Sequence, residues 1–282
     1  MIPVSFDYLR PHTLEEAVDL LARHGDDAKV LAGGHSLIPA MKLRLSQPKV
    51  LVDIGRLVEL RSIDRHDGKI AIGALTTHYE IESSELLRRD CPLLPEAAGK
   101  IGDVQVRNKG TIGGSCVYAD PAGDWPASML ALEAEFEIAG SRGTRTVAAK
   151  DFFVDMLTSA IEPGEILKSI QVPVTASTTA YTKFAQKASG FAIAGVAAVI
   201  DRNRQRVSVA VTGVAAKAYR ATGTESSLQG QAEFSQEAIV AAAEKAAEGI
   251  EALSDIHASA EFRAHLARVQ TKRALELASS RG

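Results

Sequence analysis

Two glycine-rich turns carry the residues best suited to chemistry. Ala32-Gly33-Gly34-His35-Ser36 and Thr111-Ile112-Gly113-Gly114-Ser115 each set a Gly-Gly pair beside small polar groups. Glycine permits positive φ and lets the backbone approach a ligand with no Cβ between them. Consecutive N–H groups in such a turn converge on an anion. A helix that begins just after the turn adds its unpaired N–H groups and its dipole. The hydroxyls of Ser36, Thr111 and Ser115 can reach phosphate oxygens. Both turns are expected where a strand gives way to a turn or helix. One Gly-Gly pair serves equally well as a tight strand connection. Two in one domain suggest two strips of backbone gripping one extended, phosphate-bearing ligand.

Other chemistries fit less well. Gly110-Thr111-Ile112-Gly113-Gly114 is not the G-x-G-x-x-G fingerprint, and no Walker loop with its Lys-Ser/Thr occurs, which disfavours a Rossmann domain and a P-loop NTPase. His35 reads as a general base or as a polar turn residue, and no second His stands at metal-ligand spacing. Asp120 and Asp124 form a candidate acid–base pair. In an Asp-Pro loop they read equally as Asx-turn or capping residues, and Asp124 alone suits a ribose. No serine or cysteine nucleophile arrangement is evident. Cys91 and Cys116 read as two buried thiols. They cannot supply the four thiolates of an ordinary iron–sulfur cluster, so any metal chemistry belongs to another chain.

The elements that must position these turns are legible from pattern. Thr13-Leu14-Glu15-Glu16 is a capping box, opening a helix with apolar Leu14, Ala17, Val18 and Leu21. Strands are expected at 29–31, 50–54, 69–73 and 166–172, with a hairpin over 135–139 and 144–147. Helices are expected over 36–45, 77–87, 92–100 and 126–132. After the joint at 173–179 the pattern changes to three antiparallel strands (181–186, 194–200, 207–211) and two helices (236–250, 260–278). On the second of these, Arg263, Arg268, Lys272 and Arg273 read as a solvated basic face. The order suggests two α+β units. The chain has 282 residues and a net charge of −3, which gives no reason to expect nucleic acid or a membrane surface as partner. The longest apolar run, 191–200, is too short to span a bilayer. The N-terminus lacks a basic stretch followed by an apolar core. A cytoplasmic location is the expectation.

Taken together, the motifs resemble those of a known family. Phe6-Asp7-Tyr8 before Pro11, Ala32 through Leu37 followed by Pro39 and Lys42-Leu43-Arg44, Arg107 through Ser115, and Ala119-Asp120-Pro121 with Asp124 are similar to the flavin-binding medium subunits of molybdenum hydroxylases. That family includes aerobic carbon monoxide dehydrogenase and enzymes of the xanthine dehydrogenase type. The resemblance covers the whole chain. It implies an α+β fold: an FAD-binding domain of the vanillyl-alcohol-oxidase (PCMH) type over 1–175, in subdomains of about 1–55 and 56–175. A C-terminal flavoprotein domain with a three-stranded antiparallel sheet follows over 176–282. Val30, Leu31, Ala32, Gly33, Gly34, His35, Ser36 and Leu37 would line the pyrophosphate and the approach to the flavin ring. Ile101 would sit near the ring or the adenine. Thr111, Gly114 and Ser115 would bind phosphates, and Asp124 a ribose. Leu167 would pack on the cofactor, and Lys183 would add a polar contact. Gly190-Phe191-Ala192-Ile193-Ala194 departs from the family pattern, with Phe191 as a replacement cover for the ring.

The function implied is electron transfer, with no catalytic side chain in this subunit. FAD would receive electrons from a small [2Fe-2S] subunit, and a large molybdopterin-binding subunit would hydroxylate the substrate. A dimer of heterotrimers is the expected assembly. Rival readings are a self-contained flavin oxidase with FAD linked covalently to His35, a reductase of the cell-wall enolpyruvyl type, and an interaction module without cofactor.

Overall fold

The computed structural model describes residues 1–231 and 233–282. Its first part runs through strand β1 (Asp7–Leu9), helix α1 (Leu14–His24), β2 (Ala28–Leu31), α2 (Leu37–Lys42) and β3 (Val50–Asp53). The strands pair in parallel in the order β1-β3-β2. Ala17, Val18 and Leu21 of α1 pack against Val50, Val52 and Leu60. Thr13 caps α1 by accepting from the Glu16 N–H. The Glu16 carboxylate reaches one residue further back, to the His12 N–H at 2.7 Å, so only half of the expected capping box forms. Helix α2 stops short of Leu45 because Arg44 adopts a φ of 60°, which a right-handed helix cannot continue.

The middle of the chain contains β4 (Ile63–His66), β5 (Lys69–Gly73), then α3 (His78–Ser83), α4 (Glu85–Asp90), α5 (Leu93–Ala98), α6 (Val104–Arg107), α7 (Ile112–Tyr118) and α8 (Trp125–Ala131). The expected hairpin is β6 (Glu135–Gly140) with β7 (Gly143–Ala148). Helix α9 (Ala149–Phe152) leads into a small hairpin, β8 (Phe153–Asp155) and β9 (Thr158–Ser159), and then β10 (Ile166–Pro173). Strand β10 enters between β5 and β6, giving an antiparallel sheet in the order β4-β5-β10-β6-β7. The single helix expected over 77–87 is two. Ser84, extended at ψ 116°, ends α3 and caps α4 by accepting from the Leu87 N–H. Cys91 and Cys116 are both buried in the core beneath these helices.

The last part comprises β11 (Thr178–Ala185), β12 (Ala192–Asp201), β13 (Arg206–Thr212), β14 (Tyr219–Arg220), α10 (Thr222–Leu228), α11 (Gln236–Ala243) and α12 (Ala260–Ser279). Its antiparallel sheet has four strands, not three, because the two-residue β14 pairs with β13. Helix α10 falls outside the sequence expectation, and α11 ends earlier than expected. Strand β12 has Ala197 in the middle core and Val196 and Ala198 in a separate core with Leu266, Ala267 and Leu275 of α12. Both faces are covered, which explains a long apolar run that is neither amphipathic nor a membrane span. No helix among the described residues is long and apolar enough to cross a membrane. Arg263 does not lie on a solvated face. It is 5% exposed, donating to Ile193 O (3.1 Å), Gly213 O and Asp255 (2.6 Å).

The middle core is organised by aromatic packing. Phe136 and Phe152 stack at 3.8 Å between centroids, and Phe153 meets both edge-on. Phe136→Ala should therefore cost about 3–5 kcal/mol, read as a lowered urea midpoint. A loss under about 1 kcal/mol would contradict this packing.

Candidate cofactor site

Strand β2 carries the half-buried Val30 and Leu31 directly into the first turn. Its two glycines are needed for different reasons. Gly34 has a φ of 73°, a conformation that L side chains rarely adopt. Gly33 lies against the segment before α7: a Cβ there would overlap Lys109 O and sit 3.0 Å from Gly110 Cα. The two turns are thus in direct backbone contact, and Gly114 also faces Ala32 across the gap. The N–H groups of Gly33, Gly34, His35, Ser36 and Leu37 make no hydrogen bond to any described residue. Five successive donors without acceptors form a nest suited to an anion. His35 itself is exposed, and its Nδ1 donates to Gly33 O at 2.9 Å.

The second turn differs from expectation. It follows α6 rather than a strand, and its glycines lie inside α7. Thr111 is the N-cap. The Ile112 N–H donates to Thr76 O (3.0 Å), Gly113 to Ala74 O (2.9 Å), Gly114 to Thr111 Oγ1 (3.1 Å) and Ser115 to Thr111 O (3.0 Å). These helix N–H groups are satisfied within the chain. Thr111 is itself buried, its hydroxyl taken up by the cap, and Ser115 is half-buried, so the second turn offers no second nest.

The remaining predicted residues fall into two groups. Asp124 and Lys183 come together in a buried pair, side chains 5% and 4% exposed, with Lys183 Nζ 2.9 Å from Asp124 Oδ1. Tyr181 Oη donates to the same oxygen at 2.6 Å. Lys183 Nζ also donates to Lys100 O (2.5 Å), beside Ile101, and to Gly190 O (2.7 Å). Burial pushes the Asp124 carboxyl up, while the Lys183 ammonium and the Tyr181 hydroxyl hold it down. The Tyr181 hydroxyl is pushed well above its ordinary value by burial and by the Asp124 charge, so it remains a donor. Lys183 Nζ also lies 3.1 Å from Asp124 Oδ2, so all three Lys183 donors and both Asp124 oxygens are engaged inside the protein. Leu167 lies in the core, 3% exposed, on β10, against which α7 packs. Phe191 is 48% exposed.

Asp120 accepts from the Ala122 N–H at 2.9 Å, an Asx turn rather than half of an acid–base pair. Sequence reasoning quoted Arg107 only as the start of a motif and gave it no role; it donates to Glu82 (2.8 Å) and Ile101 O (3.1 Å) and so fastens the Ile101 loop. It also passed over His78, 4% exposed and bonded to Trp125. Only the Thr77–Glu80 capping box beside His78 marks that region in the sequence, and it announces a helix start, not a site.

The nest and the close approach of two backbone strips fit a dinucleotide diphosphate, whose charge needs many neutral donors. Comparison with known proteins identifies the group. The pattern of the family described as the FAD binding domain in molybdopterin dehydrogenase matches residues 4–175. That of the CO dehydrogenase flavoprotein C-terminal domain matches residues 179–278. The chain belongs to the FAD-binding medium subunits of the molybdenum hydroxylases. It is 43% identical to the carbon monoxide dehydrogenase medium chain of Hydrogenophaga pseudoflava, covering 100% of this chain and 99% of that one. It is 38% identical to the 6-hydroxypseudooxynicotine dehydrogenase complex subunit alpha of Paenarthrobacter nicotinovorans, covering 100% and 97%. A solved carbon monoxide dehydrogenase from Hydrogenophaga pseudoflava, lacking the Mo-pyranopterin moiety of its cofactor, superposes with a TM-score of 0.96 at 42% identity, covering 100% and 99%.

Gly33→Ala forces the turns apart. An overpacked contact of this kind costs about 1–3 kcal/mol, so FAD affinity should fall roughly tenfold to a hundredfold in a flavin-fluorescence titration. An unchanged Kd would contradict the close approach.

Proposed function

We propose that this chain is the electron-transfer subunit of a molybdenum hydroxylase. When bound, FAD would supply the redox chemistry between iron–sulfur clusters on a small partner and an external acceptor. The observation that carries this reading is the run of five unpartnered N–H groups at Gly33–Leu37 against Lys109–Gly110, in a chain similar over its full length to medium chains of such enzymes. Those N–H groups, with the hydroxyls of Ser36 and Ser115, would hold the diphosphate. Ile101, held by Arg107, and the 186–191 connection, held by Lys183, would border the rest of the cofactor. Asp124 and Lys183 would act mainly by fastening these walls.

The partners in this reading are a large molybdopterin-binding subunit and a small [2Fe-2S] subunit, assembled as a dimer of heterotrimers in the cytoplasm. The printed names of the relatives span carbon monoxide and 6-hydroxypseudooxynicotine dehydrogenases, in keeping with substrate choice lying in the large subunit. The test uses the assembly purified with its partners. Stripping its FAD should abolish reduction of an external dye while dithionite still bleaches the iron–sulfur absorbance, and adding FAD should restore dye reduction. Dye reduction that survives complete loss of FAD would overturn the proposal.

A further inference from the structure

The parallel sheet has two faces, and the chain covers them unequally. In the order β1-β3-β2, the α1 crossover runs from β1 to β2 in one direction, and the α2 crossover returns from β2 to β3 in the other. Crossovers between parallel strands are right-handed, so the two helices lie on opposite faces. The α1 face packs Val30, Val50 and Val52 into a core. In register across the other face stand Tyr8, Leu51 and Lys29. Its cover is α2, six residues long, of which only Met41 is buried. Met41 and Leu51 lie outside the three main cores.

The end of α2 presents its side chains outward. The Arg44 N–H donates to Met41 O (3.0 Å) and the Leu45 N–H to Ala40 O (2.9 Å), the paired bonds of a Schellman cap. The left-handed residue of such a cap is usually glycine; here it is Arg44, with a φ of 60°. The apolar residue that follows commonly packs back on the helix. Leu45 does not: it is 80% exposed, with Leu43 at 54% and Tyr8 at 47%. A strained arginine and a leucine left in water both cost stability, and neither is compensated within the chain.

The exposed charges here are basic, from Lys29, Lys42 and Arg44. Asp53, at the end of the same face, is taken by Tyr8 Oη. The whole chain carries −3, so the patch runs against the overall charge. It is also continuous with the nest. Leu37 gives the last unpartnered N–H and is the first residue of α2, and six helical residues advance only about 9 Å.

We propose that this face is the docking surface for the small iron–sulfur subunit, with Tyr8, Leu43 and Leu45 seated on apolar surface and Lys29, Lys42 and Arg44 opposite carboxylates. The proposal rests on the electron-transfer reading above. An electron donor must lie close to the flavin, and this face begins at the cofactor turn. A thiolate-ligated cluster is itself anionic, which suits a basic seat.

The test uses the enzyme purified with its partners. A carbodiimide joins lysines to carboxylates in direct contact, and Lys29 and Lys42 should couple to Asp or Glu residues of the small subunit. In parallel, Leu45→Glu should leave the chain folded with FAD bound, because the side chain is exposed, yet weaken its affinity for the small subunit at least tenfold. Arg44→Gly relieves the backbone strain, so it should raise the melting temperature of the full chain while still weakening docking. Cross-links from these lysines that run to the large subunit or to a second copy of this chain, or no cross-links at all, overturn the proposal. A folded Leu45→Glu chain that holds the small subunit like the wild type overturns it too. If Leu45→Glu fails to fold, the cross-links and Arg44→Gly decide. Dye reduction that survives loss of FAD overturns the functional reading but leaves the cross-link map unchanged, so the two failures are distinct.

Discussion

The structure depends on one close approach, that of Gly33 to the Lys109–Gly110 backbone. The parallel sheet delivers the first turn, and the antiparallel sheet with its helices delivers the second. Where they meet there is no room for a Cβ. The contact leaves the N–H groups of Gly33 through Leu37 without partners, while the N–H groups at the start of α7 are satisfied by Ala74, Thr76 and Thr111. This asymmetry divides the labour. One turn supplies an open nest of backbone donors, and the other, its own N–H groups satisfied, supplies the backbone against which that nest packs.

A second constraint ties the last third of the chain to that floor. Asp124 at the start of α8 meets Tyr181 and Lys183 from β11. Lys183 then reaches Lys100 O and Gly190 O. Removing one member of a buried pair leaves an uncompensated charge, which typically costs about 3–5 kcal/mol. The pair therefore acts as a brace across the chain, holding the Ile101 loop and the β11–β12 connection together. A further seam runs from Pro121 O, which accepts from the Gly213 N–H and Thr212 Oγ1.

Much of this was readable from residue order. The strand before Gly33, the hairpin over β6 and β7 and the change of pattern after Pro173 follow from local rules of alternation and capping. The four-stranded sheet was harder to see, because β14 has two residues and no periodicity of its own. Ser84 looks like a mid-helix residue until its backbone extends and caps the next turn. The roles of Asp124 and Lys183 were the least legible, since the two lie 59 positions apart and are brought together only by tertiary packing. Arg263 likewise reads as a surface residue on a polar helix until the loop at Gly213 folds over it. His78 carries no motif at all. Its placement depends on a tryptophan 47 residues away and on the absence of a side chain at Gly110.

The central claim is that a single nest, at Gly33–Leu37, receives the charged part of the cofactor while the α7 N-terminus does not. Amide NMR of the full chain during FAD titration measures this directly. The account predicts large downfield shifts and slowed exchange for the amide protons of Gly33, Gly34, His35, Ser36 and Leu37, with those of Ile112, Gly113 and Gly114 nearly unmoved. Equal shifts in both turns, or shifts confined to the second, would contradict it.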